Sequence, residues 1–169
     1  FCNAVIRQFE SMGVFSTTSS LALTRSRDKL RSVQSLSRVV DIPKTVFASN
    51  KSSSKDVIEL AGSTPLIMKV LEGTQGKGVV LVDSELSAKS VLDAFNGLEV
   101  NILIQEFIKE ADGEDIRVFV VDGKVVGAMK RKAKDKEFRS NLHQGGTSIP
   151  HKVKRNEKYI YSASHCPIK

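Results

Sequence analysis

A glycine-rich segment between two apolar runs is the feature that most constrains how this chain folds. Residues 65–83 read PLIMKVLEGTQGKGVVLVD, with Lys69 inside the first run and Gly73, Gly76 and Gly78 before the second. This order predicts strand, loop, strand. Glycine permits positive φ and a close approach of backbone N–H groups to a ligand, and successive N–H groups form an anion-binding concavity. The segment therefore indicates a nucleotide triphosphate whose phosphates the Lys69 ammonium helps to neutralise.

Other phosphate-binding motifs are excluded by what surrounds the glycines. A Walker A loop ends in Gly-Lys-Ser/Thr and opens a helix, whereas Lys77 is followed by Gly78 and the strand-like run VVLV. A dinucleotide-binding fingerprint also requires a strand-to-helix turn. A protein-kinase loop joins two strands, but its lysine lies on the strand after the glycines. Taken alone, the loop leaves one alternative open, a flexible hairpin with a solvated Lys69.

The excess of basic residues leaves several partners open. The chain has 26 Lys and Arg against 19 Asp and Glu, a net charge of +7. Such an excess suits nucleic acid, phosphorylated ligands or an acidic substrate. Part of it lies in residues 129–139, MKRKAKDKEFR, where Phe138 is the one aromatic residue, and aromatic residues make up 6% of the whole chain. This scarcity weakens a role in stacking on single-stranded nucleic acid.

Length and cysteine content predict an ordinary cytoplasmic protein with one core. A chain of 169 residues can bury one sizeable core. Its two cysteines, Cys2 and Cys166, match no metal or redox spacing, which favours a reducing cytosol. No apolar run approaches the roughly 18 residues of a membrane span, so we expect no membrane partner.

Helices and strands alternate irregularly along the chain, which predicts an α/β (α+β) fold with a mixed sheet. Helices are expected at 4–12, at 29–38 with Asp28 as N-cap and Pro43 as its limit, at 56–61 and at 85–96. The last of these is expected to bury Leu86, Val91, Leu92 and Phe95. Strands are expected at 45–49, on either side of the glycine loop and at 100–108. A hairpin is expected at 116–133 around Asp122–Gly123, and the chain from 135 is expected to be irregular.

Several polar residues stand where such a fold would place a ligand, although each has a plainer explanation. Lys69 interrupts an apolar strand, and a buried lysine is costly unless it meets an anion. Lys29 could add a second ammonium or be a surface lysine. Asp115 could bind ribose hydroxyls or belong to a turn. Residues 105–108 end an apolar strand and could contact a base. Arg139, Ser140 and Asn141 lie in an irregular segment, and arginine suits bidentate contact with phosphate or carboxylate.

These pieces occur in one order: DKLRS, PLIMK, EGTQGKGV, ILIQEFIKEADGEDIRVFVV and FRSNLHQGG. In that order they closely resemble the RimK-type glutamate ligases of the ATP-grasp superfamily, from residue 5 to about 148. The resemblance implies an incomplete ATP-grasp fold. It also divides the chain into the end of a preceding domain (1–27), the ATP-grasp domain (28–148) and a divergent tail (149–169). Within the ATP-grasp domain, 43–107 would be the nucleotide lid and 108–148 the start of the core.

The resemblance also assigns roles to individual residues. Lys29 and Lys69 would contact ATP phosphates, and residues 72–78 would be the loop that closes over them. Residues 105–108 would form the hinge that holds adenine, with Phe107 where some relatives carry tyrosine, and Asp115 would bind ribose. Arg139 and Asn141 are the candidate catalytic residues, near the γ-phosphate and acceptor. The full set implied to bind nucleotide is Lys29, Lys69, Glu72, Gly73, Thr74, Gln75, Gly76, Gly78, Gln105, Glu106, Phe107, Ile108, Asp115, Arg139, Ser140 and Asn141.

The implied reaction is ATP-dependent carboxylate–amine ligation through an acyl phosphate. The implied partners are ATP, glutamate and the C-terminus of a small-subunit ribosomal protein, and the parent protein could be an oligomer. The family uses Mg²⁺, but its ligands, an aspartate and a later Glu-x-Asn, fall beyond this chain. After Ser148 the sequence has one acid, Glu157. We therefore expect a fragment that binds ATP weakly and does not ligate alone.

Two other functions stay open from the sequence. One is a ligase of the same family that acts on a small molecule, in amino-acid biosynthesis or cofactor glutamylation. The other is a non-catalytic basic fragment that binds RNA or the ribosome. The second predicts salt-sensitive RNA binding that survives Lys69→Ala, whereas a ligase predicts that this substitution abolishes nucleotide binding.

Overall fold

A computed structural model describes residues 2–71, 78–134, 137–154 and 157. Five α-helices appear there: Cys2–Ser11 (α1), Ser20–Arg27 (α2), Lys29–Leu36 (α3), Ser54–Ala61 (α4) and Glu85–Gly97 (α5). The strands are Thr45–Ala48 (β1), Leu66–Val70 (β2), Val79–Val82 (β3), Ile102–Glu106 (β4), Glu114–Val121 (β5), Lys124–Lys132 (β6) and Thr147–Pro150 (β7). Short 3-10 helices span Lys109–Ala111 and Leu142–Gln144.

Serine and aspartate side chains set the starts of the helices. Asp28 accepts a hydrogen bond from the Arg31 backbone N–H at the start of α3. Ser84 and Ser87 form a reciprocal capping box at the start of α5. Because the first backbone N–H groups of a helix lack intrahelical partners, such caps fix where each helix begins.

The first sheet carries the core. Its strand order is β1–β4–β2–β3, with every neighbouring pair antiparallel. Alternate residues of its strands are fully buried together with residues of α4 and α5. This cluster contains Ala48, Val57, Ala61, Leu66, Met68, Val82, Ala88, Leu92, Ile102 and Ile104. Since side chains alternate between the two faces of a strand, Thr45, Lys69 and Gln105 lie on the opposite face.

The second sheet, β5–β6–β7, is also antiparallel. Its hairpin turns at Asp122 and Gly123, whose φ values are +48° and +69°. Positive φ at both central residues is what a two-residue hairpin turn with the favoured twist requires. The register shifts by one residue between Phe119 and Val120, so the two halves of the hairpin differ in which residues share a face.

The predicted combination of helices and sheets is confirmed, and several details differ. Every pairing between described strands is antiparallel, where a mixed sheet was expected. Helix α3 ends at Leu36, well before Pro43, and α2 was not predicted. Leu86 is 77% exposed rather than buried, because it faces away from the core on α5. Strand β7 lies in the segment predicted to be irregular. No described helix has the length and apolarity of a membrane span.

Candidate functional site

Two lysines meet beside the glycine-rich segment. Lys69 lies on β2, and its Nζ donates to Gln105 Oε1 over 2.5 Å. Lys29 lies in the first turn of α3, and its Nζ donates to the Leu71 carbonyl over 2.7 Å. Burial lowers the pKa of Lys69, and the nearby positive charge of Lys29 lowers it further. The structure thus brings together two ammonium groups that repel each other, an arrangement that an anion would relieve.

The glycine-rich loop is described only where it returns to the sheet. The candidate residues Glu72, Gly73, Thr74, Gln75 and Gly76 lie outside the described residues. Gly78 has φ +70°, and a Cβ atom on it would lie 2.3 Å from Val70 Cγ2. The Gly78 carbonyl accepts a hydrogen bond from the Val70 N–H over 3.0 Å. Only glycine fits here, so this glycine serves the hairpin geometry.

The predicted hinge is attached to both neighbouring strands. The Glu106 carboxylate accepts from the Lys44 backbone N–H over 2.9 Å, and the Glu106 N–H donates to the Lys44 carbonyl over 3.0 Å. The Phe107 N–H donates to the Pro65 carbonyl over 3.3 Å. Ile108 is 40% exposed. The hinge therefore leaves the sheet in a fixed direction, and its contact with a base stays a prediction.

Asp115, on β5 of the second sheet, accepts hydrogen bonds from two buried side chains, those of Arg131 and Ser140. Arg131 donates its Nε to Asp115 Oδ1 over 2.7 Å and an Nη atom to Oδ2. Ser140 Oγ donates to the same Oδ2. Burial acts to raise the pKa of Asp115, but the hydrogen bonds from Arg131 and Ser140 outweigh it and leave the pKa below its usual value. Asp115 is thus a half-exposed carboxylate on strand β5 that Arg131 and Ser140 hold in place, rather than a turn residue.

Arg139 is held by a neighbouring acid. Its guanidinium donates to both carboxylate oxygens of Glu137, over 2.9 and 2.8 Å, and stacks 5.5 Å from the centroid of the Phe138 ring. The hydrogen bonds from Arg139 lower the pKa of Glu137 to about 2. Asn141 is half-buried, and its carbonyl accepts from the Gly146 N–H over 3.3 Å. The structure therefore joins Ser140 to Asp115, while Arg139 is bound to Glu137.

Sequence reasoning missed three residues of this region: Thr45, Arg131 and Glu137. Thr45 Oγ1 accepts from Gln105 Nε2 over 2.8 Å, and Arg131 is only 8% exposed. A cavity of about 370 Å³ is lined by Phe107 and Phe138, among other residues, and connects the hinge with the segment before Arg139. A signal for Glu137 was present, since an acid two residues before an arginine is within reach of its guanidinium.

The described residues do not supply a magnesium site by themselves. No group of three or more His, Cys, Asp or Glu side chains within them could hold a metal ion. Mg²⁺ demands several oxygen ligands, and both oxygens of Asp115 already accept hydrogen bonds from Arg131 and Ser140.

The comparison of sequences decides the family. The model of the RimK-like ATP-grasp domain matches residues 26–164 of this chain. The chain belongs to the RimK-like ATP-grasp family. The match confirms the resemblance seen in the motifs and continues past residue 148, into the tail that was expected to diverge.

The similar proteins are about twice as long as this chain. A protein of Hydrogenovibrio crunogenus named probable alpha-L-glutamate ligase is 60% identical over 146 residues, which cover 86% of this chain and 48% of that protein. A protein of Maridesulfovibrio salexigens with the same name is 53% identical over 156 residues, or 92% of this chain and 52% of that one. The chain thus spans about half the length of these curated relatives.

Solved structures show the same fold. The D-alanine–D-alanine ligase from Bacillus anthracis complexed with ATP matches with a TM-score of 0.71 at 21% identity, over 95% of this chain and 54% of that one. A RimK domain ATP-grasp protein from Sphaerobacter thermophilus matches with a TM-score of 0.63 at 20% identity, over 76% of this chain and 49% of that one. The fold is therefore an ATP-grasp fold, of which this chain covers about half.

Proposed function

We propose that this chain is the nucleotide-binding part of an ATP-dependent carboxylate–amine ligase. The observation that carries the proposal is the pair of ammonium groups, Lys29 and Lys69, at the edge of a glycine-rich loop. Membership of the RimK-like family and the names of its relatives support it. ATP would place its phosphates against these two lysines.

The chain's own residues would contribute charge and position. Lys29 and Lys69 would offset the negative charge of the phosphates, the main task of a protein in phosphoryl transfer. The carboxylate of Asp115 would accept hydrogen bonds from ribose hydroxyls. Residues 105–108 would hold the base, and Arg139 and Asn141 would face the reacting groups once ATP is bound.

The proposed reaction has two steps. The γ-phosphoryl group of ATP passes to a carboxylate oxygen of the acceptor, giving an acyl phosphate and ADP. The amine of glutamate then attacks the acyl carbon, a C–N bond forms, and inorganic phosphate leaves as the amine loses a proton. Holding the two reactants in place is what accelerates the second step.

We propose a protein acceptor, the C-terminus of a small-subunit ribosomal protein. Relatives named alpha-L-glutamate ligase support glutamate as the added amino acid. The net charge of +7 is compatible with a ribosomal setting. The rival acceptor is a small molecule that carries a carboxylate.

Calorimetric titration of the chain with ATP, with and without Mg²⁺, tests nucleotide binding. We expect weak binding by the wild type and none by Lys69→Ala, because the substitution removes a half-buried positive charge that would contact the phosphates. Lys51→Ala, at an exposed lysine on the loop after β1, is the matched control and should bind as the wild type does. Lack of binding by the wild type, or equal binding by Lys69→Ala, contradicts the proposal.

A chimera tests the acceptor. This chain would replace the aligned half of the Hydrogenovibrio crunogenus relative, and the chimera would receive ATP, glutamate and either small-subunit ribosomal proteins or carboxylate-bearing small molecules. Mass spectrometry would detect added glutamates. Addition only to small molecules contradicts a protein acceptor, and Lys69→Ala in the chimera shows whether ligation depends on this chain.

A further inference from the structure

A chain of three hydrogen bonds ends at the Lys69 ammonium. Thr45 Oγ1 donates to the Pro43 carbonyl over 2.7 Å, Gln105 Nε2 donates to Thr45 Oγ1 over 2.8 Å, and Lys69 Nζ donates to Gln105 Oε1 over 2.5 Å. The three side chains stand on β1, β4 and β2, which are neighbours in the sheet. The hydrogen bonds therefore cross the sheet from its edge to Lys69.

The donor and acceptor in each of these hydrogen bonds follow from the first one, between Thr45 and the Pro43 carbonyl. A hydroxyl has one hydrogen to donate, and Thr45 uses it on the Pro43 carbonyl. Its oxygen can then only accept from Gln105, so the amide nitrogen of Gln105 must face Thr45. The amide oxygen is consequently turned towards Lys69, and the amide cannot flip without leaving two donors face to face.

We propose that Thr45 and Gln105 are positioning residues that hold the Lys69 ammonium ready for phosphate without neutralising it. This inference rests on the proposed nucleotide-binding function. An ammonium carries three N–H donors, so one bond to Gln105 leaves up to two for phosphate oxygens. Gln105 then acts through Lys69, rather than by touching the nucleotide as the family resemblance implied.

The residue that binds Lys69 carries a neutral amide, Gln105, rather than a carboxylate. A glutamate there would form an ion pair with Lys69 and compete with the phosphates for its charge. The acid next along the strand, Glu106, does not do this, because successive side chains point to opposite faces. Its carboxylate is bound by the Lys44 N–H instead.

The proposal predicts how binding depends on pH. Among the described residues, Gln105 and the like charge of Lys29 are the groups that act on the Lys69 ammonium, and burial and Lys29 lower its pKa. Phosphate binding should fall as Lys69 loses its proton. Gln105→Leu removes a hydrogen-bond acceptor from the Lys69 ammonium and lowers the pKa of Lys69 further, so phosphate binding should be lost at a lower pH than in the wild type. Gln105→Glu places a negative charge beside the ammonium and raises that pKa, so binding should be lost at a higher pH.

The affinity of the variants for ATP distinguishes the effect of a lost hydrogen bond from the effect of altered packing. Thr45→Val keeps the shape but removes the hydroxyl, and we expect ATP to bind about fivefold to tenfold more weakly because the Gln105 amide loses its anchor. Thr45→Ser keeps the hydroxyl and should bind within about twofold of the wild type. Gln105→Glu should bind about tenfold more weakly at neutral pH. Calorimetry from pH 6 to 10 measures affinity and pH profile together.

Two control variants carry the same chemical changes at exposed positions outside the Thr45–Gln105–Lys69 series. Thr147→Val, at an exposed threonine on β7, and Gln34→Leu, at an exposed glutamine on α3, make the same chemical changes elsewhere. Thermal unfolding of each variant shows that it is folded. The proposal is overturned if Thr45→Val and Thr45→Ser bind equally, or if neither Gln105 variant shifts the pH profile. If the wild type itself does not bind ATP, the proposed function fails first and this inference with it.

Discussion

At the scale of single residues, the buried Arg131 connects two strands of the second sheet through its ion pair with Asp115. Its guanidinium donates to both oxygens of Asp115, and Oδ2 also accepts from Ser140. Arg131 thereby joins β6 to β5, and Asp115 joins β5 to the segment that carries Arg139 and Asn141. The planar guanidinium matches the two oxygens of a carboxylate, which a lysine ammonium cannot do. The positions of two candidate nucleotide contacts, Asp115 and Ser140, therefore depend on one arginine.

Arg131→Met should destabilise the fold by about 1–3 kcal/mol. The substitution leaves a partly buried carboxylate without its main partner, and the estimate is kept low because 40% of the Asp115 side chain is exposed to water. Urea unfolding at pH 7 measures the loss. Adding Asp115→Asn should recover part of it, since the neutral amide no longer needs the cation. A double variant as unstable as Arg131→Met would contradict this account.

The same ion pair gives a pH dependence whose sign is fixed. The pKa of Asp115 is lowered in the folded chain, so its stabilising contribution is present above the ordinary aspartate pKa and disappears as pH falls below it. The difference in unfolding free energy between the wild type and Arg131→Met should therefore shrink as the pH falls through the ordinary aspartate pKa and then through the lower pKa of folded Asp115.

The sequence predicted Asp115 but could not predict Arg131, and the reason is one residue of register. With Asp122 and Gly123 as the turn, a regular hairpin pairs Val121 with Lys124. Continued without interruption, this register sets Asp115 opposite Lys130. The bulge between Phe119 and Val120 shifts the pairing so that Asp115 faces Arg131. A register shift of one residue moves every later side chain of a strand to the other face of the sheet. No local sequence pattern predicts this shift.

At the scale of elements, the sequence predicted where helices begin and where the hairpin turns better than it predicted where helices end and which segments form edge strands. The Asp28 cap and the Asp122–Gly123 turn were predicted because each depends on local chemistry. Strand β7 was missed because Thr147–Pro150 has no apolar alternation and all four of its residues are exposed. It forms by backbone pairing to β6, which depends on a neighbour distant in sequence.

Gly146 decides whether the segment carrying the candidate catalytic residues can lie against β6. A Cβ atom on it would fall 2.7 Å from the Ser140 carbonyl oxygen and 2.9 Å from that of Lys132. Both are backbone atoms, which cannot rotate away from an added methyl group as a flexible side chain can. We expect Gly146→Ala to cost about 2 kcal/mol or more in urea unfolding, and to weaken ATP binding through the displaced Ser140.

Gly127→Ala is the matched control for this prediction. Gly127 lies within β6, and no heavy atom lies within 4 Å of a Cβ built there. Alanine has fewer unfolded conformations than glycine, so this variant should be neutral or more stable by up to about 1 kcal/mol. Equal losses for the two variants would mean that β6 is sensitive to any added methyl group, and the argument from close approach would fail.

At the scale of the whole molecule, the candidate residues are divided between two sheets. Lys69, Gln105 and Glu106 lie in the first sheet, whereas Asp115 lies on β5 of the second sheet and accepts a hydrogen bond from Ser140. Lys29 is brought to the first sheet by α3. The family resemblance places the nucleotide lid at 43–107 and the start of the core at 108–148, and these bounds stay a prediction. The hydrogen bonds within each sheet could not be predicted, since they join residues far apart in sequence.

A nucleotide that spans both sheets should slow hydrogen exchange in both. We expect ATP to protect amides of β2 and β4 together with amides of β5 and of residues 137–146, measured by mass spectrometry, because a ligand bound to the native state opposes every opening that releases it. Lys69→Ala should lose protection in the second sheet as well as in the first. Protection confined to the first sheet would show that Lys29 and Lys69 bind phosphate without the ribose contact assigned to Asp115.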